Sequence, residues 1–120
     1  MQINIIAVGK KMPAWVDEGY LEYAKRMPAE NRLNLIEIDM PKRQKNADIA
    51  RLIAQEGKLL LKTVQPQDFL IALDVQGQQI STPELSVWLR EWQTVGQNIS
   101  LLIGGPDGLH ADCLKQAKRI

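Results

Sequence analysis

The strongest constraint on the fold is a regular alternation between short apolar runs and longer stretches with helical periodicity. The apolar runs are at residues 3–8, 33–38, 69–73 and 99–103, and each precedes a helical stretch. Apolar runs of this length are typical of strands, whereas apolar residues at i, i+3, i+4 and i+7 indicate one face of a helix. A strict β-α order favours a mainly parallel sheet flanked by helices, because each helix supplies the crossover that parallel neighbours need. The sequence therefore predicts an α/β fold.

The apolar runs also indicate where each strand lies in the sheet. The runs 69–73 (FLIAL) and 99–103 (ISLLI) are almost uninterrupted, which is typical of strands covered on both faces. The run 3–8 ends at Gly9 and also predicts a strand. In the run 33–38, Asn34 and Glu37 interrupt the apolar residues, so we place this strand nearer an edge of the sheet.

The helical stretches begin and end at residues with known capping preferences. Pro28 ends the first, Asn46 is the predicted N-cap of the second, Thr82 caps the third, and Gly96 ends it. The last helix is predicted from about His110. The apolar residues expected to share one face are Val16, Tyr20, Tyr23, Ala24 and Met27 in the first helix, Ile49, Leu52, Ile53 and Leu60 in the second, and Leu85, Trp88, Leu89 and Trp92 in the third.

The composition narrows the classes of function. The 120 residues most simply form one domain, residues 1–120. Fifteen basic residues against fourteen acidic ones leave a formal charge of +1, so nucleic-acid binding can come only from local patches. With one cysteine and one histidine, the chain has no internal disulfide and is predicted to hold no metal. No apolar stretch approaches the roughly 20 residues that span a bilayer, so we expect a cytoplasmic protein without a membrane partner.

The candidate site lies where the third and fourth strands end. Leu73 and Asp74 close the third strand, and Ile103, Gly104 and Gly105 close the fourth. The carboxyl ends of parallel strands meet at one edge, which is where open α/β sheets bind ligands. The two glycines remove side chains there, so a ligand can lie directly on peptide groups. The pattern is neither GxGxxG nor a P-loop, which makes a dinucleotide or a nucleoside triphosphate the poorer interpretation. An ordinary turn is the alternative interpretation of the same residues.

Basic and aromatic residues offer weaker candidates for RNA binding. A basic run consists of Lys42, Arg43 and Lys45. It is a candidate for binding RNA phosphates, although such runs in loops are usually only solvated. Trp88 and Trp92 are candidates for stacking on bases, but their helical spacing favours the core.

Two further residues have reactive side chains. His110 follows the glycine-rich run and is a candidate base, although a lone histidine at a helix start is more often structural. Cys113 has no adjacent basic residue that would mark a thiolate nucleophile, so we expect it to pack as a small apolar side chain.

Four segments, in order along nearly the whole chain, resemble the RlmH group of the SPOUT (α/β-knot) methyltransferase superfamily. They are INIIAVGKKMPAWV, IEIDMPKRQKNADI, ALDVQGQQISTPELS and VGQNISLLIGGPDGL. Agreement over several ordered segments is more specific than any single motif. The resemblance implies methylation by S-adenosyl-L-methionine (SAM) of N-3 of a pseudouridine in large-subunit ribosomal RNA. It also implies that the enzyme acts on the assembled ribosome as a homodimer and needs no metal.

The resemblance further implies where SAM binds. Carried over by position, Leu73 and Gly104 are expected to contact SAM, with Ile103 and Gly105 as neighbours. We also expect Gly104→Val to abolish SAM binding and leave the fold intact. The implied fold is an α/β knot, in which a C-terminal segment threads through a loop.

Members of this group continue with a further strand, a loop and a helix. We therefore expect that the knot-forming segment is absent from these 120 residues, and that this form alone transfers no methyl group. Two other functions stay open, a SPOUT methyltransferase that acts on tRNA and a non-catalytic RNA- or ribosome-binding α/β module.

Overall fold

Strands and helices alternate along the chain, as the sequence predicts. The computed structural model describes residues 1–9, 13–39, 48–105 and 108–117. Its elements are β1 (Gln2–Val8), α1 (Ala14–Ala24), a 3-10 turn (Ala29–Asn31), β2 (Arg32–Ile38), α2 (Ile49–Thr63), β3 (Phe69–Leu73), α3 (Thr82–Val95), β4 (Ile99–Ile103) and α4 (Ala111–Gln116).

The strands form one parallel sheet in the order β2-β1-β4-β3. This confirms the α/β class and the position of β2 at an edge. The chain order reverses between β1 and β4, because β2 lies on one side of β1 and the two later strands lie on the other. The prediction that β3 is covered on both faces is also confirmed, since Leu70, Ile71 and Ala72 are all buried. The knot stays a prediction.

Side chains alternate between two apolar layers, one on each face of the sheet. On one face, Ile6, Val8, Leu70 and Leu102 of the strands pack with Leu60 of α2 and Cys113 of α4. On the other face, Ile3, Ile71 and Ile99 pack with Trp92 of α3. Such alternation is what a strand requires, since successive side chains point to opposite faces. Burying both faces holds the carboxyl edge of the sheet in place between α2 and α3.

The prediction that the apolar residues of the first helix share one side is confirmed in part, because Val16 and Ala24 are partly buried whereas Tyr23 is exposed. In the structure α1 buries none of its residues, and Tyr23 is 69% exposed. The helix also ends at Ala24, before Pro28, which instead precedes the 3-10 turn. The apolar spacing is present, but Met27 beyond the helix end is the residue that packs against the core.

Two predicted N-caps are also displaced. Asp48 caps α2, with its side chain accepting a hydrogen bond from the Arg51 N–H at 3.4 Å, while Asn46 lies outside the described residues. Ser81 caps α3 in place of Thr82, because Ser81 and Glu84 form a reciprocal capping box. In addition, Ile49 and Leu85, which were expected on the apolar faces of α2 and α3, are 48% and 44% exposed.

Candidate functional site

The third and fourth strands both end at one cleft, as the sequence predicts. Leu73 and Ile103 are register partners, so the chain leaves both strands at the same level of the sheet. The cleft beyond them has a volume of about 380 Å³. Its lining residues are Leu73, Asp74 and Val75 from the β3 exit, and Ile103, Gly104, Gly105 and Gly108 from the β4 exit. All four residues of the predicted SAM site therefore lie together.

The rim of the cleft is apolar and open to solvent. Leu73 is 51% exposed, Val75 is 96% exposed and Ile103 is 37% exposed. Apolar side chains grouped at an exposed rim are typical of ligand-binding grooves. The three glycines have no side chains, so their contribution to the lining is peptide backbone alone. The cleft thus combines apolar surface with peptide hydrogen-bonding groups.

A tight turn shapes the β3 side of the cleft. The Asp74 carboxylate accepts a hydrogen bond from the Gln76 N–H at 3.0 Å, and the Gly77 N–H donates to the Asp74 carbonyl at 2.9 Å. The alternative interpretation of Asp74 as a turn-capping residue is therefore confirmed.

The backbones of Gly105 and Gly108 meet in a second turn, which forms the β4 side of the cleft. The Gly108 N–H donates to the Gly105 carbonyl at 3.0 Å, and Gly108 has a φ of +90°. Gly104 packs against this turn, because a Cβ built on it would lie 2.7 Å from both the carbonyl carbon and the oxygen of Gly108. The expectation that Gly104→Val leaves the fold intact is wrong, since the new side chain would collide with backbone. Gly104 lacks a side chain because the turn folds back onto it.

Helix α2 forms the back of this turn. A Cβ on Gly105 would lie 3.0 and 3.2 Å from the two carboxylate oxygens of Glu56, which is only 2% exposed. One residue further along, a Cβ on Gly57 would lie 2.8 Å from Cβ of His110. The turn and the start of α4 are therefore seated directly on α2.

The two reactive side chains near the turn have structural roles. His110 caps α4, and its Nδ1 accepts a hydrogen bond from the Asp112 N–H at 3.1 Å. Cys113 is fully buried, and its Sγ lies 3.8 Å from the carbonyl oxygen of Gly57. Burial, helped by the negative charge of Asp112, raises the pKa of the Cys113 thiol. A thiol held protonated in the core is not a nucleophile, which confirms the expected packing role.

The tryptophans of α3 belong to the core. Trp92 is 7% exposed, and its ring centroid lies 6.0 Å from that of Phe69 and 6.3 Å from that of Trp88. Both tryptophans also line an apolar pocket of about 250 Å³ that adjoins the cleft through Leu73. The interpretation of Trp88 and Trp92 as core residues is favoured over base stacking.

The predicted RNA-binding residues Lys42, Arg43 and Lys45 lie outside the described residues. Within residues 1–9, 13–39, 48–105 and 108–117, no cluster of histidine, cysteine or carboxylate side chains suits a metal ion. In the same ranges, no helix is long and apolar enough to cross a membrane.

The parallel sheet and its glycine-lined cleft define an α/β protein with a candidate small-molecule site at the carboxyl edge of its strands. The chain belongs to the SPOUT methyltransferase family, since the family model described as "Predicted SPOUT methyltransferase" matches residues 1–120.

Individual relatives are similar over almost all of the chain. A Hahella chejuensis protein named Ribosomal RNA large subunit methyltransferase H is 50% identical over 119 residues, which are 99% of this chain and 76% of that protein. Proteins of the same name from Ectopseudomonas mendocina and Pseudomonas syringae pv. syringae are each 47% identical over 120 residues, covering 99% of this chain and 77% of the relative.

Glu56 is the residue near the cleft that the sequence analysis missed. A signal for it was present, because Glu56 lies four residues from both Leu52 and Leu60 and so falls on the apolar stripe of α2. A glutamate on the buried face of a helix is rare unless the surrounding structure supports it. This spacing was enough to single out Glu56 as a buried carboxylate.

Proposed function

We propose that this protein transfers a methyl group from SAM to N-3 of a pseudouridine in large-subunit ribosomal RNA. The proposal includes action on the assembled ribosome, in the cytoplasm, by a homodimer. Its support is the SPOUT family membership together with relatives named as large-subunit ribosomal RNA methyltransferases. The observation that carries it is the single cleft that joins Leu73 and Ile103 to the backbone of Gly104 and Gly105.

The cleft suits the shape and chemistry of a methyl donor such as SAM. Its volume of about 380 Å³ falls in the range of small-molecule sites, which runs from roughly 300 to 1,000 Å³. SAM has a flat adenine ring, polar ribose and amino-acid groups, and a sulfonium. The exposed side chains of Leu73 and Ile103 would cover ring surface, and the peptide groups of the glycine turn would pair with polar edges.

SAM, when bound, supplies an electrophilic methyl carbon. The protein's task is to hold the acceptor nitrogen in line with that carbon, because correct orientation alone contributes a large part of the acceleration of such two-partner reactions. Displacement at the methyl carbon needs no covalent enzyme intermediate. Cys113 is buried and His110 caps α4. Both roles are compatible with this chemistry, because it needs no enzyme nucleophile.

The test is methyl transfer by the full-length protein. It is incubated with tritiated SAM and ribosomes from a strain that lacks the modification, and the ribosomal RNA is digested to nucleosides. We expect label in a methylated pseudouridine from the large subunit. Label in an ordinary uridine instead of a pseudouridine, or at a ring position other than N-3, would refute the proposed site of methylation.

The same experiment separates the two alternative functions. Label that enters tRNA in preference to ribosomes would support a tRNA methyltransferase of the same family. Ribosome binding with neither SAM binding nor transfer would support a non-catalytic module. Free 50S subunits and assembled 70S ribosomes are compared as substrates, and preference for free subunits would refute action on the assembled ribosome.

A further inference from the structure

The back of the glycine turn is built around one buried carboxylate, that of Glu56. Glu56 is 2% exposed, and it does not line the cleft itself. Leu52 and Leu60 lie one helical turn away on either side, and they are 8% and 1% exposed. Glu56 therefore lies on the buried face of α2.

The Glu56 carboxylate occupies the space that a side chain at position 105 would need. Its oxygens lie 3.0 and 3.2 Å from a Cβ built on Gly105, closer than ordinary van der Waals contact. Gly105 is not among the glycines with positive φ, which are Gly9, Gly96 and Gly108. Backbone conformation therefore does not explain a glycine at 105, whereas the Glu56 contact does.

Gly105 is the residue that links Glu56 to the cleft. It contributes only backbone, it lines the cleft, and it packs against the Glu56 carboxylate, which does not line the cleft. At the next position on α2, Gly57 lets His110 approach, so α2 contacts both Gly105 and the residue that caps α4. A shift of the Glu56 end group would therefore move one wall of the cleft.

We propose that Glu56 is a positioning residue for the methyl-donor site. It acts through Gly105, by holding the Gly105–Gly108 turn at the distance from Leu73 that SAM requires. The glutamate side chain is long enough to reach the turn and ends in oxygens that can meet peptide N–H and Cα–H groups, which an apolar side chain cannot do. This inference rests on the proposed function, because SAM is its ligand.

The test compares SAM dissociation constants by calorimetry on the full-length protein. The four single variants are Glu56→Ala, Glu56→Gln, Leu60→Ala and Gly105→Ala. Glu56→Ala removes the contact and should weaken SAM binding about 10-fold or more, because one wall of the cleft is then no longer held in its binding position. Glu56→Gln keeps length and shape and should stay within about 3-fold of the parent protein. Leu60→Ala is the matched control, because it opens a cavity one helical turn further along α2, at a residue that does not line the cleft. It should lower the melting temperature and leave the SAM affinity within about 3-fold.

A double variant tests the contact directly. Gly105→Ala alone should weaken SAM binding about 10-fold, because the new methyl group pushes against the carboxylate. In Glu56→Ala/Gly105→Ala the carboxylate no longer occupies the space that the new methyl group needs. The loss of SAM affinity in the double variant should therefore be well below the product of the two single losses, as expected for residues in contact. Losses that multiply independently, or a Glu56→Ala protein with unchanged affinity, would overturn the inference.

A measurement without ligand separates this inference from the proposed function. The amide resonance of Gly105 should shift more in Glu56→Ala than in Leu60→Ala, whether or not SAM binds. If the parent protein binds no SAM, the proposed function fails at this site and Glu56 is not a positioning residue for SAM. If the parent binds SAM and the Glu56→Ala affinity is unchanged, only the positioning role fails.

Discussion

The same substitution, glycine to alanine, should have opposite effects at Gly19 and Gly104. Gly19 lies inside α1, and a Cβ there would meet nothing within 4 Å. Alanine in a helix interior is favoured over glycine by about 1 kcal/mol, so Gly19→Ala should stabilise the protein. At Gly104 the Cβ would lie 2.7 Å from backbone atoms of Gly108, and overpacking of this kind costs about 1–3 kcal/mol.

The two variants should therefore differ by about 2–4 kcal/mol in the free energy of unfolding. For a domain of this size that corresponds to roughly 4 °C in melting temperature per kcal/mol. The assay is urea denaturation followed by tryptophan fluorescence, to which buried Trp92 contributes, with the denaturant slope checked for constancy. Gly96→Ala is a third variant. Gly96 has a φ of +77°, and a Cβ there would meet nothing within 4 Å, so this variant measures the cost of the backbone conformation alone. Its free energy of unfolding should fall by about 1–2 kcal/mol. A Gly104→Ala protein as stable as the parent would refute the close packing of the β4 turn.

Three other predictions concern exposed Leu73 at the cleft and the buried residues Trp92 and Cys113. Leu73→Ser should weaken SAM binding several-fold in calorimetry and change stability by no more than about 1 kcal/mol. The control Leu59→Ser, at a residue exposed to a similar extent on α2, should leave the SAM affinity unchanged. Equal SAM affinities of the two variants would remove Leu73 from the site. Trp92→Leu should cost about 1–3 kcal/mol in urea denaturation and leave ribosome affinity unchanged in the folded protein; a selective loss of affinity would indicate base stacking. The raised pKa of the Cys113 thiol means that the folded protein holds this proton more tightly than the unfolded chain. Its stabilising effect is present below the ordinary thiol pKa of about 8.5 and is lost as pH rises through the raised folded value, so stability should fall more steeply above about pH 8.5 than in Cys113→Ala. Equal slopes would contradict this.

The strands were predictable because each is a short apolar run that no helix period explains. Parallel order then fixed which strand ends meet, so Leu73 and Gly104 could be placed at one edge from the sequence alone. The helix ends were less predictable. Ser81 and Thr82 are both good N-caps, and only the reciprocal contact with Glu84 decides between them.

Other features depend on contacts that spacing does not encode. Apolar periodicity in α1 indicates a face that could be buried, but not whether another element is near enough to cover it. The sequence also shows that Gly104 and Gly105 lack side chains without showing what lies in the space left free. For Gly104 the answer is its own turn, and for Gly105 it is Glu56.

The position of β1 inside the sheet has a consequence for how the protein folds. β1 pairs with β4 as well as with β2, and Ile3 meets Ile99, a partner nearly the whole chain length away. Such distant pairings close large loops and slow the folding rate. During synthesis β1 has no partner on that side until β4 has emerged, and the cleft at the ends of β3 and β4 cannot form before then. We therefore expect ligand binding to appear only with the final cooperative folding step, so that no early folding intermediate binds a methyl donor.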